Sequence, residues 1–373
     1  MPLKPIVQQD LSKGTNVVAN PWDVGAQQSV YVMNMLLDEH GSVRTRDGEL
    51  IVTTAPDTRP IVKLFDFVRQ DGTIFPLAIQ KGPPGTNDLY NRGTVPWTLI
   101  GHLGTTYSIP DILTFVNRAL IADGYEVPWQ YDGTTLSHLT DSGGHVPEGA
   151  KHHALHQGFY WVWNTAAANT VLDGPSSLRS SDLNNPNSWP IANQIFVNKD
   201  DGDSGHGMGQ FTIAESGISP TTSQVLFKTF VAFAMTGVFG STNPLFTIQK
   251  IKSDMGCIAP RTIQFCPGYG LVRLTHRGFA LYDGVQDLLI SEQVRPLIFG
   301  NATFEPIDWE QVFSSYATVV PNPPVYICAV PLCNQPGLRR VFCYDLVRGS
   351  WTILEYPNAI ATLATILDPA QEN

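Results

Sequence analysis

Charge is what this chain has least of. Only 15% of its 373 residues are Asp, Glu, Lys or Arg, where roughly a quarter is usual. A surface so thin in charge is made of uncharged polar groups and exposed apolar area, which suits a subunit that buries much of itself in an assembly. The charge that is present leans acidic, with 33 Asp and Glu against 23 Lys and Arg, net -10. A protein that grips phosphates through Lys and Arg would show the opposite balance, so a conventional nucleic-acid binder is not the reading.

Long apolar runs are missing too. The most apolar stretch, residues 230–239, is broken by Thr236 and Gly237. It falls short of the 18 or so apolar residues needed to cross a bilayer, so no membrane role is expected. Met1 to Asp10 show no charged-then-apolar signal pattern. The five cysteines, Cys257, Cys266, Cys328, Cys333 and Cys343, are odd in number and contain no C-x-x-C pair. Each sits in an apolar, strand-like context and reads as a buried reduced thiol, in a chain made in a reducing cytoplasm.

Catalytic motifs are equally scarce. No G-x-S-x-G occurs; Gly217-Ile218-Ser219-Pro220 and Gly349-Ser350-Trp351 do not fit it. Walker-type phosphate loops and dinucleotide fingerprints are absent. Helix is scarce, the best candidate being one or two turns over 307–316 with Asp308 as cap. The 32 Gly and 28 Pro are spread along the chain, which argues against both long helices and a disordered tract.

What the chain does have is a recurring phrase. An aromatic residue, then Asp or Asn, then Gly leads into a short polar-to-apolar run. It appears at Tyr131-Asp132-Gly133 and Tyr282-Asp283-Gly284. A stretched form runs from Tyr344-Asp345 to Gly349, and a weaker one from Tyr90-Asn91 to Gly93. Asp-Gly or Asn-Gly between apolar runs is a hairpin signal, because Gly accepts positive φ and the Asp or Asn side chain bonds its own turn. Repeated down one chain, it predicts a radial all-β architecture.

From about residue 60 the chain divides into segments of roughly 45 to 55 residues, the spacing of propeller blades. This predicts an all-β propeller of about six four-stranded blades, five and seven being the neighbouring counts. The expected layout is an N-terminal arm over 1–40, a propeller over 41–357, and a C-terminal strand or tail over 358–373. Residues 31–37 read equally as a strand or a helical turn. Two strands are expected around Asp47-Gly48, with the strand near 49–54 completing the final sheet.

Several constellations invite a chemical reading. His152, His153 and His156 would pair at i and i+4 on a helix, a workable zinc arrangement, but no H-E-x-x-H follows. As a strand they are expected on one face at a blade rim. Asn198 to Gly205, with Asp200, Asp201 and Asp203, resembles the opening of a calcium loop without its closing Glu, and reads as a plain exposed connection. Asp283 and Asp345 are the carboxylates a glycosidase would need, yet both lie in the repeated turn, where they shape it. The turn-rich run Arg179 to Pro190 should pack Trp189 on Pro186. No catalytic, cofactor-binding or metal residue is therefore assigned, and no cofactor is expected.

Taken in order, several phrases resemble the virion propeller proteins of tailed bacteriophages: tail nozzle, knob and packaged-DNA-stabilisation subunits. They are Asp10-Leu11-Ser12-Lys13-Gly14-Thr15-Asn16, the stretch from Asn34 to Gly48, Leu178 to Trp189, Phe227-Lys228, Gly256 to Pro260 and His276 to Gly284. In that family a Pro stands where this chain has Asp47. The resemblance implies a non-enzymatic propeller in a homo-oligomeric ring of about six copies, located in the virion tail below the portal and its adaptor. Such a ring forms the DNA conduit, helps retain packaged DNA and offers a surface for fibres or spikes. Its acidity suits a conduit that double-stranded DNA passes without specific binding. The alternative is a receptor- or glycan-binding propeller using Trp129, Trp161 and Trp163 as stacking platforms.

Overall fold

A computed structural model describes residues 10–19, 23–37, 42–46, 54–83, 85–104, 109–143, 145–166, 172–213, 221–239 and 244–365. The expected turn at 47–48, most of the expected strand at 49–54, and Ser219 with its neighbours lie outside those residues. Two short strands, β1 (Met35–Leu37) and β2 (Val43–Thr45), pair antiparallel. Six sheets of four antiparallel strands follow, each made of consecutive strands, and together they form a six-bladed β-propeller.

The first blade is β3 (Ile61–Val68), β4 (Ile74–Lys81), β5 (Asn87–Asn91) and β6 (Thr98–Leu103). The second is β7 (Asp111–Phe115), β8 (Arg118–Ala122), β9 (Trp129–Tyr131) and β10 (Leu136–His138). The third is β11 (His152–His156), β12 (Phe159–Trp163), β13 (Ser177–Ser180) and β14 (Gln194–Phe196). The fourth is β15 (Gly205–Ile213), β16 (Thr221–Lys228), β17 (Ala232–Phe239) and β18 (Pro244–Lys250). The fifth is β19 (Gln264–Cys266), β20 (Gly270–Thr275), β21 (Gly278–Tyr282) and β22 (Asp287–Leu289). The sixth is β23 (Tyr316–Pro321), β24 (Pro324–Leu332), β25 (Gln335–Asp345) and β26 (Ser350–Ile360). In each blade the first strand is innermost and the fourth outermost.

The recurring phrase falls at one place in this plan. Tyr90, Tyr131, Tyr282 and Tyr344 each lie at or near the end of a third strand, and the Asp or Asn opens the turn to the fourth. Asp132 Oδ1 accepts the amides of Thr134 and Thr135, both at 2.8 Å. Asp283 Oδ1 accepts those of Val285 and Gln286, and Asp345 Oδ1 those of Val347 and Arg348. Asn91 Oδ1 accepts from the Gly93 amide at 2.9 Å. Tyr131, Tyr282 and Tyr344 pack their buried rings against the preceding blade, and Tyr90 occupies the matching place in the first blade.

Apolar clusters between blades hold the ring together. Alternation along the strands sends every second side chain to each face, so one blade serves two seams. Tyr160 and Val162 face the second blade, while Phe159, Trp161 and Trp163 face the fourth. The largest cluster lies between the fifth and sixth blades, where Phe279, Tyr326, Phe342, Tyr344 and Trp351 meet. It also takes in Leu297 and Ile298 from a five-residue helix, α1 (Arg295–Phe299).

The seam that closes the ring is different. Among the described residues, the buried side chains between the sixth and first blades form two separate clusters, one around Tyr316, Val341 and Leu354, the other around Ala78, Tyr90 and Trp97. Leu36 and Leu363 pack against the first, and Ala55 against the second. Thr365 reaches the innermost strand, donating to the Val319 carbonyl at 3.0 Å.

The N-terminal arm lies against the outer edge of β26. The Thr15 amide donates to Trp351 O, and the Ile353 amide to Val32 O. Asn34 gives its amide to Ile353 O and accepts the Glu355 amide on its side chain. Gly14, at φ +63, is required here: a Cβ would stand 2.4 Å from Trp351 O. The arm thus covers a strand edge that would otherwise present unpaired backbone groups.

Two expectations need correction, while the last sheet has four consecutive strands of its own, β23 to β26. Residues 307–316 form no α-helix: Asp308 Oδ1 bonds the Glu310 and Gln311 amides in a tight turn, and only Val312–Ser314 coil, as a 3-10 turn. The chain must re-enter the axis at Tyr316, which leaves no room for further turns. Four cysteines are buried, but Cys333 is exposed in the turn after β24.

Candidate functional site

The innermost strands start on one face of the propeller, and there they bring together polar side chains far apart in sequence. Lys63 of β3 donates to Asp111 Oδ1 of β7 at 2.6 Å, and its ammonium lies 5.1 Å from the Tyr316 ring centre. His153 of β11 places Nε2 3.7 Å from Asp111 Oδ2, with Nδ1 3.0 Å from the Tyr160 hydroxyl. Arg261, just before β19, donates to the Ile109 carbonyl at 3.0 Å. A cavity of about 430 Å³ opens above this cluster at the mouth of the axial channel.

Burial sets the electrostatics. It disfavours the Lys63 ammonium, but the adjacent Asp111 carboxylate outweighs that, so the lysine pKa is raised. The same balance, with Lys63 as the deciding partner, holds the Asp111 carboxyl well below the usual carboxylate range. Burial pulls His153 down to about 4 and His152 to about 3, and the neighbouring cations add to both. The cluster therefore carries one internal ion pair and neutral imidazoles at neutral pH.

The histidine triplet is at the axis rather than a blade rim, because β11 is the innermost strand of its blade. His153 faces opposite to His152 and His156, as strand alternation demands. His152 Nε2 meets the Gly205 carbonyl at 3.1 Å. His156 is fully buried near Phe246, its two ring nitrogens without partners. Four residues of strand separate His152 from His156 by about 13 Å, too far to share a metal. Among the described residues no group of three His, Cys, Asp or Glu is arranged to hold a metal ion.

The acidic loop at 198–205 holds a cation that the sequence had not suggested. Lys228, fully buried, points its ammonium into the loop. It meets both Asp201 carboxylate oxygens at 2.7 and 2.9 Å, the Asn198 and Asp203 carbonyls at 3.1 Å, and Ser176 Oγ at 3.2 Å. A lysine has taken the place that a calcium-loop reading gives to a metal.

The other flagged residues are structural. Burial raises the Asp283 carboxyl, but the Gln286 and Val285 amides outweigh it and the net pKa is lowered. Trp189 is buried, its indole N–H bonded to the Pro186 carbonyl at 2.9 Å. Arg179 is buried and donates to Asp173 Oδ1 at 3.0 Å. Trp161 and Trp163 are core residues, 1% and 0% exposed, and Trp129 is half-buried against His138 at 3.6 Å. The expected sugar platform is therefore absent at those positions. Exposed rings stand elsewhere, with Tyr125 at 56% and Phe313 at 55%, both lining the axial cavity.

Sequence reasoning missed Lys63, Asp111 and Arg261. The available signal was positional: each stands in, or just before, the strand that opens a repeat.

No family model matches the chain, and no curated protein sequence does. Among solved structures, the crystal structure of the Saccharomyces cerevisiae Sqt1 is similar, with a TM-score of 0.42 and 9% identity over 82% of this chain and 78% of that one. A likeness of that degree carries no functional argument.

Proposed function

We propose that the chain is a structural, non-enzymatic subunit of a bacteriophage tail, part of a nozzle or knob ring below the portal and adaptor. About six copies would surround a channel lined by more Asp and Glu than Lys and Arg. The ring would conduct DNA, help retain it in the capsid, and present a surface for fibres or spikes.

One observation supports this reading above the rest. The phrases that resemble the tail family fall at positions that hold this fold together. Gly14 and Asn34 latch the arm to the last blade. Gly256 lies so close to the Lys228 backbone that a Cβ would stand 1.9 Å from its carbonyl, and Cys257 donates its amide there. Tyr282 and Asp283 fill a seam and shape a turn. A ring also suits an acidic chain with only 15% charged residues, since closed rings are a natural product of heterologous interfaces.

The test is electron microscopy of purified protein and of the intact particle, with native mass spectrometry. Closed rings of about six copies, found in the tail with an acidic channel, are the expected result. A protein that stays monomeric in the particle, or a channel wall of net positive charge, would overturn the proposal.

A further inference from the structure

The axial cavity combines features that the fold itself does not require. Two large rings, Tyr125 and Phe313, stand more than half exposed at its rim. Two cations, Lys151 and Arg261, line it, and among the described residues neither forms an ion pair with a carboxylate. The acid at its floor is already committed, since Asp111 is bound to Lys63. Asp123, also in the lining, spends its carboxylate on the Tyr125 and Glu126 amides.

A further donor points to a missing partner. The His153 side chain is 1% exposed and lines the cavity; among the described residues its Nε2 makes no hydrogen bond, the nearest carboxylate oxygen being Asp111 Oδ2 at 3.7 Å. Burial raises the Tyr160 pKa, so the phenol keeps its proton, and in the tautomer where it donates that proton to Nδ1 the imidazole hydrogen sits on Nε2. A buried N–H left unpaired costs free energy that a ligand oxygen would recover.

We propose that the cavity binds an aromatic carboxylate. The ring of the ligand lies between Tyr125 and Phe313, and its carboxylate is met by Arg261 and Lys151 within reach of His153 Nε2. Guanidinium and carboxylate pair through charge-assisted hydrogen bonds, and offset or edge-on ring contacts add to them. A free small molecule and the C-terminal aromatic residue of a peptide present this same chemistry. The inference stands apart from the tail reading, since it rests on the cavity alone.

Calorimetric titration of the full chain tests it with two probes, 3-phenylpropionate and acetyl-Gly-Gly-Phe. Phenethylamine, the same ring with the opposite charge, is the control. Saturable binding of at least one carboxylate is expected, with phenethylamine about tenfold weaker or worse. Tighter binding of the tripeptide identifies a chain end as the source, and tighter binding of phenylpropionate a small molecule. Arg261→Gln should weaken the carboxylate about tenfold, and Phe313→Ala a few-fold, with circular dichroism unchanged. Lys151→Gln, on an exposed residue, gives the same charge test should Arg261→Gln fail to fold. No saturable binding of either carboxylate would overturn the proposal. So would equal binding of phenethylamine, or affinities untouched by both the charge and the ring substitutions.

Discussion

The sixth blade is packed on both sides, and the two seams it makes are unequal. Toward the fifth blade it contributes Tyr326, Phe342, Tyr344 and Trp351 to one continuous cluster. The connecting chain wedges Val294, Leu297, Ile298, Ile307 and Val312 into the same cluster. Toward the first blade its other face meets a patch that remains separate. No loop joins those two blades directly, because they are not consecutive in sequence. Consecutive blades bring their own filler, while a closing seam must recruit it, here from Leu36, Ala55 and Leu363. Local opening should therefore start at the closing seam.

The repeated tyrosine gives the sharpest test, because the same residue of the same phrase sits in both seams. Tyr344 lies 4.6 Å from the Trp351 ring in the filled seam; Tyr90 lies 6.3 Å from Trp97 in the divided one. Tyr344→Ala should cost about 4 kcal/mol and Tyr90→Ala about 2 kcal/mol, read from denaturant midpoints. Equal losses would remove the distinction.

Acid should separate the regions next. His152, His153 and His156 are pulled down by burial to about 3, 4 and 4, from an ordinary 6.5. The unfolded chain therefore binds more protons between about pH 6.5 and 4, and stability falls as pH drops through that window. The sixth blade contains no histidine. Hydrogen exchange at pH 5 should accordingly show β11 and β12 losing protection while β24 and β25 keep theirs. Uniform loss across all blades would contradict the assignment.

The smallest effect belongs to the turns, which lie outside both seams. Asp283→Ala removes the acceptor of two amides and should cost about 1 kcal/mol. A loss above about 3 kcal/mol would mean that the turn does more than connect two strands.

The fold was legible because its signal is local. Tyr131-Asp132-Gly133 and its relatives report a turn through backbone requirements that any chain must meet, and their spacing reports the repeat. The site was not legible in the same way. Lys63 and Asp111 are 48 residues apart, and nothing local marks their meeting once ring closure has brought the first strands together. The histidines were visible as a cluster, but their place on the axis follows only from which strand of the blade they occupy. The misread helix at 307–316 is the converse case, since an Asp that caps a helix also closes a tight turn.

Lys228 within the acidic loop has a consequence for the surroundings this protein tolerates. A loop of this composition with a bound divalent ion would tie local order to the ion supply, and a chelator would loosen it. Here the positive charge is covalently attached and cannot be diluted away. The connection between the third and fourth blades should keep its shape from ion-poor to ion-rich media.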